Sequence, residues 1–147
     1  MLTLNQLTKK IQDIGEAHKQ IKTTYNGSVL DFLSKGSDVI YPAFVFDLNG
    51  GRIDGTVMTL DFLMFFFDRV RPELDNETEV LSDQILTASD IVAQLRYQLF
   101  DFYTNESNSM VFFKEETPEL LSGVRLSVAF EIPYDADRCA VPTTFEY

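Results

Sequence analysis

The side chains able to do chemistry are few and scattered. The chain holds one histidine, His18, and one cysteine, Cys139. A thiol–imidazole nucleophile needs both groups within hydrogen-bond reach. Here they fall on segments far apart in sequence, and Asp137-Arg138 would tune the thiol only mildly. His18 lies beside an apolar helical stripe, with no Asp or Cys spaced to partner it, and reads as a packing or surface residue. Cys139 reads as a small buried one. Glu73, Asp75, Glu77 and Glu79 alternate along one stretch, as calcium ligands do. The DxDxDG order and its turn glycine are missing, so a solvated loop or subunit contact is the better reading. Asp47, Asp54, Asp61 and Asp68 recur every seven residues. Strands and a turn separate them, so they are expected to share no face. Gly50-Gly51 precedes neither a helix nor a Lys-Ser/Thr pair and reads as a hairpin turn rather than a phosphate loop. The expectation is therefore no catalytic residue, no cofactor and no metal, which favours a binding or structural role.

Composition narrows the classes further. The 147 residues carry 12 Lys+Arg against 23 Asp+Glu, a formal net charge of −11. Thirteen Phe and six Tyr supply enough apolar surface to offset the entropy of ordering, which excludes a disordered chain. A single Cys excludes an internal disulfide scaffold. The negative balance disfavours a nucleic-acid reader, because such binding rests on neutralising phosphates. Charge is uneven: residues 1–30 balance at +2, which leaves −13 on the remainder. That asymmetry suggests a first segment lying against an acidic surface. Lys9, Lys10, Asp13, Glu16, Lys19 and Lys22 leave no apolar stretch for a signal peptide in residues 1–22. The longest apolar run, Phe62 to Phe67, falls far short of the roughly 20 residues that span a bilayer. The expectation is a protein without membrane contact, folded in a cytoplasm.

The elements that must position these residues follow from periodicity. Leu4, Leu7, Ile11, Ile14 and Ile21 predict a helix over 3–23, capped by Thr3 with Gln6 and stopped at Tyr25-Asn26-Gly27-Ser28. Residues 29–38 read as irregular, with one short turn at Asp31-Phe32-Leu33. Residues 39–48 predict a strand with Pro42 on an edge or at a bulge. Asn49-Gly50-Gly51-Arg52 predicts a turn. Residues 56–70 predict a long strand covered on both faces at its middle. Leu81, Ile85, Ala88, Val92, Leu95, Leu99 and Phe102 predict a helix over 80–103, capped by Ser82 or Thr78. Short (110–115) and cleanly alternating (123–132) strands follow. The fold class is α+β: a mostly antiparallel sheet with two helices packed on one face, in the order α-β-β-α-β-β. Residues 1–134 form one domain and 135–147 an extended C-terminal arm.

Dimensions add one expectation. A 15-residue strand at about 3.3 Å per residue is roughly 50 Å long. A globule of this length is roughly 38 Å across. The hairpin is therefore expected to overshoot its own core, the alternative being two shorter strands joined by a bulge. An apolar protrusion needs a partner, and another copy in a head-to-tail contact that closes makes a ring.

The stretch FDRVRPELDNETEVLSDQILTASDIVAQL, Phe67 through Leu99, carries a more specific signal. With Ile132-Pro133-Tyr134 and Asp137-Arg138-Cys139-Ala140-Val141-Pro142, it resembles small structural proteins of tailed phages of Bacteroidetes, including the crAss-like group. It is similar to their tail-terminator or neck-ring proteins over most of residues 40–142. The resemblance implies a virion protein forming a closed ring of six or twelve copies at the portal–neck–tail junction, assembled in the host cytoplasm. It implies other neck, portal or tail proteins as partners, DNA only as passing cargo, and no enzymatic activity. Within that frame the subunit interface is expected at the hairpin residues Asn49, Gly50, Gly51 and Arg52, and at Arg138, Phe145 and Tyr147 of the arm. Two other readings compete. One is a small-ligand pocket protein or enzyme whose curved sheet wraps a cavity. The other is an acidic decoy that imitates DNA, which has no need of so much apolar sequence.

Overall fold

The computed structural model describes residues 2–34, 39–71, 76–97, 102–114 and 120–134, together with 142 and 144. Within them the chain is α+β, with three helices and one curled, mostly antiparallel six-stranded sheet. The elements run α1 (Leu4–Ala17), β1 (Thr23–Asn26), α2 (Val29–Leu33), β2 (Ala43–Asp54), β3 (Val57–Arg69), α3 (Glu77–Tyr97), β4 (Tyr103–Thr104), β5 (Met110–Phe113) and β6 (Leu121–Pro133). The order α-β-β-α-β-β thus gains three short elements: β1, α2 and β4.

Each addition has a physical cause. Helix α1 starts as its sequence dictates, with Gln6 N donating to Thr3 Oγ1 at 3.2 Å and Thr3 N donating to Gln6 Oε1 at 2.9 Å. It ends at Ala17, not 23, because Thr23, Thr24 and Tyr25 pair in parallel with Ala43, Phe44 and Val45. Pro42 lies just outside β2, where its carbonyl accepts from the amides of Lys22 and Thr23. Ser28 caps α2 through Leu30 N at 3.2 Å, and Phe32 is driven inward to 1% exposure. Helix α3 begins at Glu77, with Val80 N bonding to the Asn76 carbonyl, so Thr78 and Ser82 are helical rather than capping. Its buried side is Val80, Gln84, Thr87, Ala88, Ile91, Val92 and Leu95, which leaves Leu81 and Ile85 only partly covered. Phe102 lies beyond the helix and meets Phe130 edge-on at 5.2 Å. Leu99 lies outside the described residues.

The sheet order is β1-β2-β3-β6-β4, with β5 also on β6. Strands β3 and β6 pair over all thirteen residues without a register shift, Val57 against Pro133 through Arg69 against Leu121. The long strand is therefore one strand, and its two-strand alternative does not occur. Alternation in β6 puts Val124, Leu126, Val128, Phe130 and Ile132 on one face. There α1 and α3 cover them, together with Phe44, Phe46, Phe62, Met64 and Phe66. The opposite face is not bare: α2 lays Phe32 on Ala43, Val45, Phe67 and Leu121. Two-faced burial thus falls at the Phe65–Phe67 end of β3 rather than its middle, and only two of the three helices share a face. The sheet tolerates no side chain at Gly123, where an added Cβ would lie 2.0 Å from the Phe66 carbonyl oxygen.

Candidate functional site

Two surface features combine unusual exposure with defined chemistry, and they lie at opposite ends of β3. The first is the outer half of β2. Ala43 through Phe46 are 0–1% exposed, and burial then stops: Leu48 through Asp54 are all exposed. Strand β1 flanks only residues 43–46, so from Asp47 onward β2 has β3 as its single strand neighbour among the described residues. Leu48 and Ile53 are 40% and 58% exposed on the side of α1 and α3.

Asn49-Gly50-Gly51-Arg52 lies inside this strand and is not the hairpin turn. The register shifts between Leu48 and Gly50, after which Gly50 opposes Asp61, Gly51 opposes Leu60 and Arg52 opposes Thr59. Asn49 is thus the extra residue of a β-bulge, which accounts for an Asn-Gly pair in mid-strand. Gly51 is needed for close approach, since a Cβ there would sit 2.9 Å from the Thr59 carbonyl. The turn is Gly55-Thr56, with Gly55 at φ +58°, where two-residue hairpins place glycine. The Asp54-Gly55 pair carried that signal in the sequence.

The bulge also reverses which residues face outward. Before it, odd-numbered residues of β2 share a face with Asp61; after it, even-numbered ones do. Asp47, Asp54 and Asp61 therefore do share one face of the sheet, contrary to expectation, while Asp68 belongs to the other. Arg52 stands among them. Its Nε donates to Asp54 Oδ2 at 2.7 Å. That bond and the Asp54 charge raise its pKa above the ordinary value, with smaller contributions from Asp61 and Glu131. Arg138, Phe145 and Tyr147, the other expected interface residues, lie outside the described residues, as does Cys139.

The second feature is an apolar cleft of about 230 Å³ at the far end of β3, on the face covered by α2. Val29 and Leu33 of α2 form one wall, and Val111 and Phe113 of β5 the other. Phe67 and Leu121 lie between them, and Phe113 meets Phe67 edge-on at 6.0 Å. Among the described residues the single polar one in the lining is Arg125. It opposes Phe65 on β3 and Val111 on β5, so its side chain rises from the sheet between two apolar neighbours. Its Nε is sealed from solvent and has no hydrogen-bond partner among the described residues. A buried donor left unmade costs about 1–3 kcal/mol. Alternation along β6 by itself puts Arg125 on the face opposite Val124 and Leu126. What encloses it is tertiary: a short helix and a short strand from distant parts of the chain.

Between the two features the sheet face is polar. Residues 105–109 run along β6 and join it by backbone bonds at either end, Asn105 N to the Ala129 carbonyl and Ser127 N to the Ser109 carbonyl, both at 3.0 Å, and by side chains between. Ala129 N donates to Asn105 Oδ1 at 2.9 Å, and Asn108 Nδ2 donates to the Ser127 carbonyl at 3.3 Å. Arg96 of α3 clasps this loop, its Nη2 donating to the carbonyls of Asn105 and Glu106 and to Asn108 Oδ1. Asp61, Asn49, Ser107, Ser109 and Ser127 border a shallow trough there of about 300 Å³.

His18 does have a partner, one invisible at helical spacing. Its Nε2 lies 2.9 Å from Asp90 Oδ2 on α3. Gln20 N donates to Nδ1 at 3.1 Å, which puts the ring proton on Nε2, facing the carboxylate. With Nδ1 engaged by the backbone, the pair ties α1 to α3 and has no open lone pair for a general base. Among the described residues no group of three or more His, Cys, Asp or Glu is placed to hold a metal ion, and no helix is long and apolar enough to cross a membrane. No model of a known protein family matches the chain, and neither does any curated protein.

Proposed function

We propose that this chain is a structural subunit that assembles with copies of itself into a closed ring, as tail-terminator and neck-ring proteins of tailed phages do. The outer half of β2 carries the reading. Seven consecutive residues, Leu48–Asp54, are exposed on a strand whose second edge meets no other strand among the described residues. A row of free backbone amides and carbonyls flanked by Leu48 and Ile53 invites pairing with another chain. A hairpin on one side of a protomer meeting a different surface on the next is a heterologous contact, and such contacts close into rings when the rotation allows.

The chemistry of the hairpin suits a repeated contact. Arg52 among Asp47, Asp54 and Asp61 gives it a mixed-charge face, while Leu48 and Ile53 give it an apolar one. A net charge of −11 suits a channel for DNA as passing cargo, because repulsion keeps phosphates from adhering to the wall. In this reading the ring has six or twelve copies, sits in the virion between portal, neck and tail proteins after assembly in the host cytoplasm, and does no chemistry. Residues 135–147 act as an arm on the adjoining subunit, so deleting 136–147 should weaken assembly and leave the domain folded.

Mass in solution tests this directly. Cross-linking and light scattering at rising protein concentration should give a single closed species of six or twelve copies. The double variant Leu48→Lys, Ile53→Lys should stay a protomer with an unchanged melting temperature. A wild-type chain that remains single at every concentration, or a double variant that assembles equally well, would overturn the reading.

A further inference from the structure

We infer that the cleft between α2 and β5 is a binding site for a small monocarboxylate with a compact apolar body, held by Arg125. This inference is independent of ring assembly, since the cleft lies at the opposite end of β3 from the hairpin tip.

Size sets the body of the ligand. An apolar cavity of about 150 Å³ takes benzene. The roughly 230 Å³ here fits an aromatic ring with a short tail. Lining sets its polarity: Val29, Leu33, Val111, Phe113 and Leu121 offer nothing to hydrogen-bond through their side chains, so the body must be apolar. Arg125 sets the head group. The residue is half-buried, and its Nε is sealed off with no hydrogen-bond partner among the described residues. A guanidinium presents parallel N–H donors that match the two oxygens of a carboxylate, and Nε–H with one Nη–H is such a pair. Binding through that pair requires the side chain to turn its sealed Nε–H toward the cleft. A single charge is the right number. One arginine neutralises one carboxylate, whereas a phosphate dianion would leave surplus charge against an apolar wall.

The backbone supports the same place. Leu120, next to the cleft wall, holds φ +57°, a left-handed conformation unusual for leucine. Its carbonyl accepts from Val70 N at 2.8 Å, which fixes the end of β6 against the end of β3. The wall that carries Leu121 is thereby pinned rather than free to collapse into the space.

The test uses the full chain with 3-phenylpropionate as probe and 3-phenylpropan-1-ol as its uncharged counterpart, read by methyl NMR. The acid should shift the methyl signals of Val29, Leu33, Val111 and Leu121 saturably, and the alcohol should bind at least tenfold more weakly. Arg125→Leu should reduce the acid to the level of the alcohol. Val111→Trp, a substitution at a 45% exposed position, should fill the cleft and abolish binding of both. Acid and alcohol binding equally to the wild type, acid binding unchanged in Arg125→Leu, or shifts absent from those four residues would each overturn the inference. If Arg125→Leu fails to fold, the acid-to-alcohol ratio on the wild type and the Val111→Trp result decide the question.

Discussion

The two halves of the β2–β3 hairpin share one ladder and differ in almost everything else. At the base, Phe44 stacks on Phe66 with centroids 4.6 Å apart and planes 3° from parallel, under α1, while α2 covers the reverse side. Beyond Asp47 the same strand continues with both sides of β2 open to water. Packing therefore does not explain why the outer half is a strand. The explanation is β3, which β6 holds in register along its whole length, so that it offers β2 a fixed edge to zip onto. Each net hydrogen bond contributes only about 0.5–1.5 kcal/mol. That suffices to order the outer half once the template is rigid, and it leaves that half free for a role other than stability.

Substitutions break or sharpen this contrast. The largest effect is expected at the base, from Gly123→Ala. The new Cβ would lie 2.0 Å from one backbone atom and 2.7 Å from another, so the central strands must separate. A loss of about 4 kcal/mol or more is expected in denaturant unfolding, or no folded protein at 37 °C. A change under about 1 kcal/mol would mean that the base is looser than its packing implies. Phe44→Ala comes next, at about 3–5 kcal/mol, from a side chain with no exposure.

Asp68 gives a smaller effect of opposite sign. Burial pushes its carboxyl above the usual carboxylate range, Asp83 adds to this, and the Arg69 amide and charge act against it. Folding therefore favours the protonated acid. That stabilisation is complete below the unfolded-state value near about 3.9 and is lost as pH rises through the higher folded-state value. Asp68→Asn keeps an acceptor for Arg69 N and removes the charge. It should raise the melting temperature at pH 7, and the gain should vanish in acid. A variant less stable than wild type at pH 7 would contradict this. Smallest of all is Ile53→Ala at the outer end, within about 0.5 kcal/mol for the single chain. If it costs as much as Phe44→Ala, the two halves are not distinct.

What the sequence disclosed tracks how local each cause is. The Thr3–Gln6 capping box, the alternation of β6 and the length of β3 need only near neighbours, and all were legible. β1 was not, because Thr-Thr-Tyr-Asn is short and polar and becomes a strand only against the edge of β2. Asn49-Gly50-Gly51-Arg52 misled for a related reason. Glycine serves turns and close strand contacts alike, and only the register of the partner strand tells them apart. The Arg125 cleft was hidden because its walls come from residues 29–33 and 111–113, which no pattern along the chain brings together.

The bulge at Asn49 amounts to a phase shift in a two-beat rhythm. Deleting one residue there would close the bulge and still leave Gly50, Gly51 and Arg52 opposite Asp61, Leu60 and Thr59, so every side chain beyond it would keep its face. A lineage could thus shed the bulge in one genetic event and still present Arg52 and Asp54 on one side and Ile53 on the other, with the folded base left untouched.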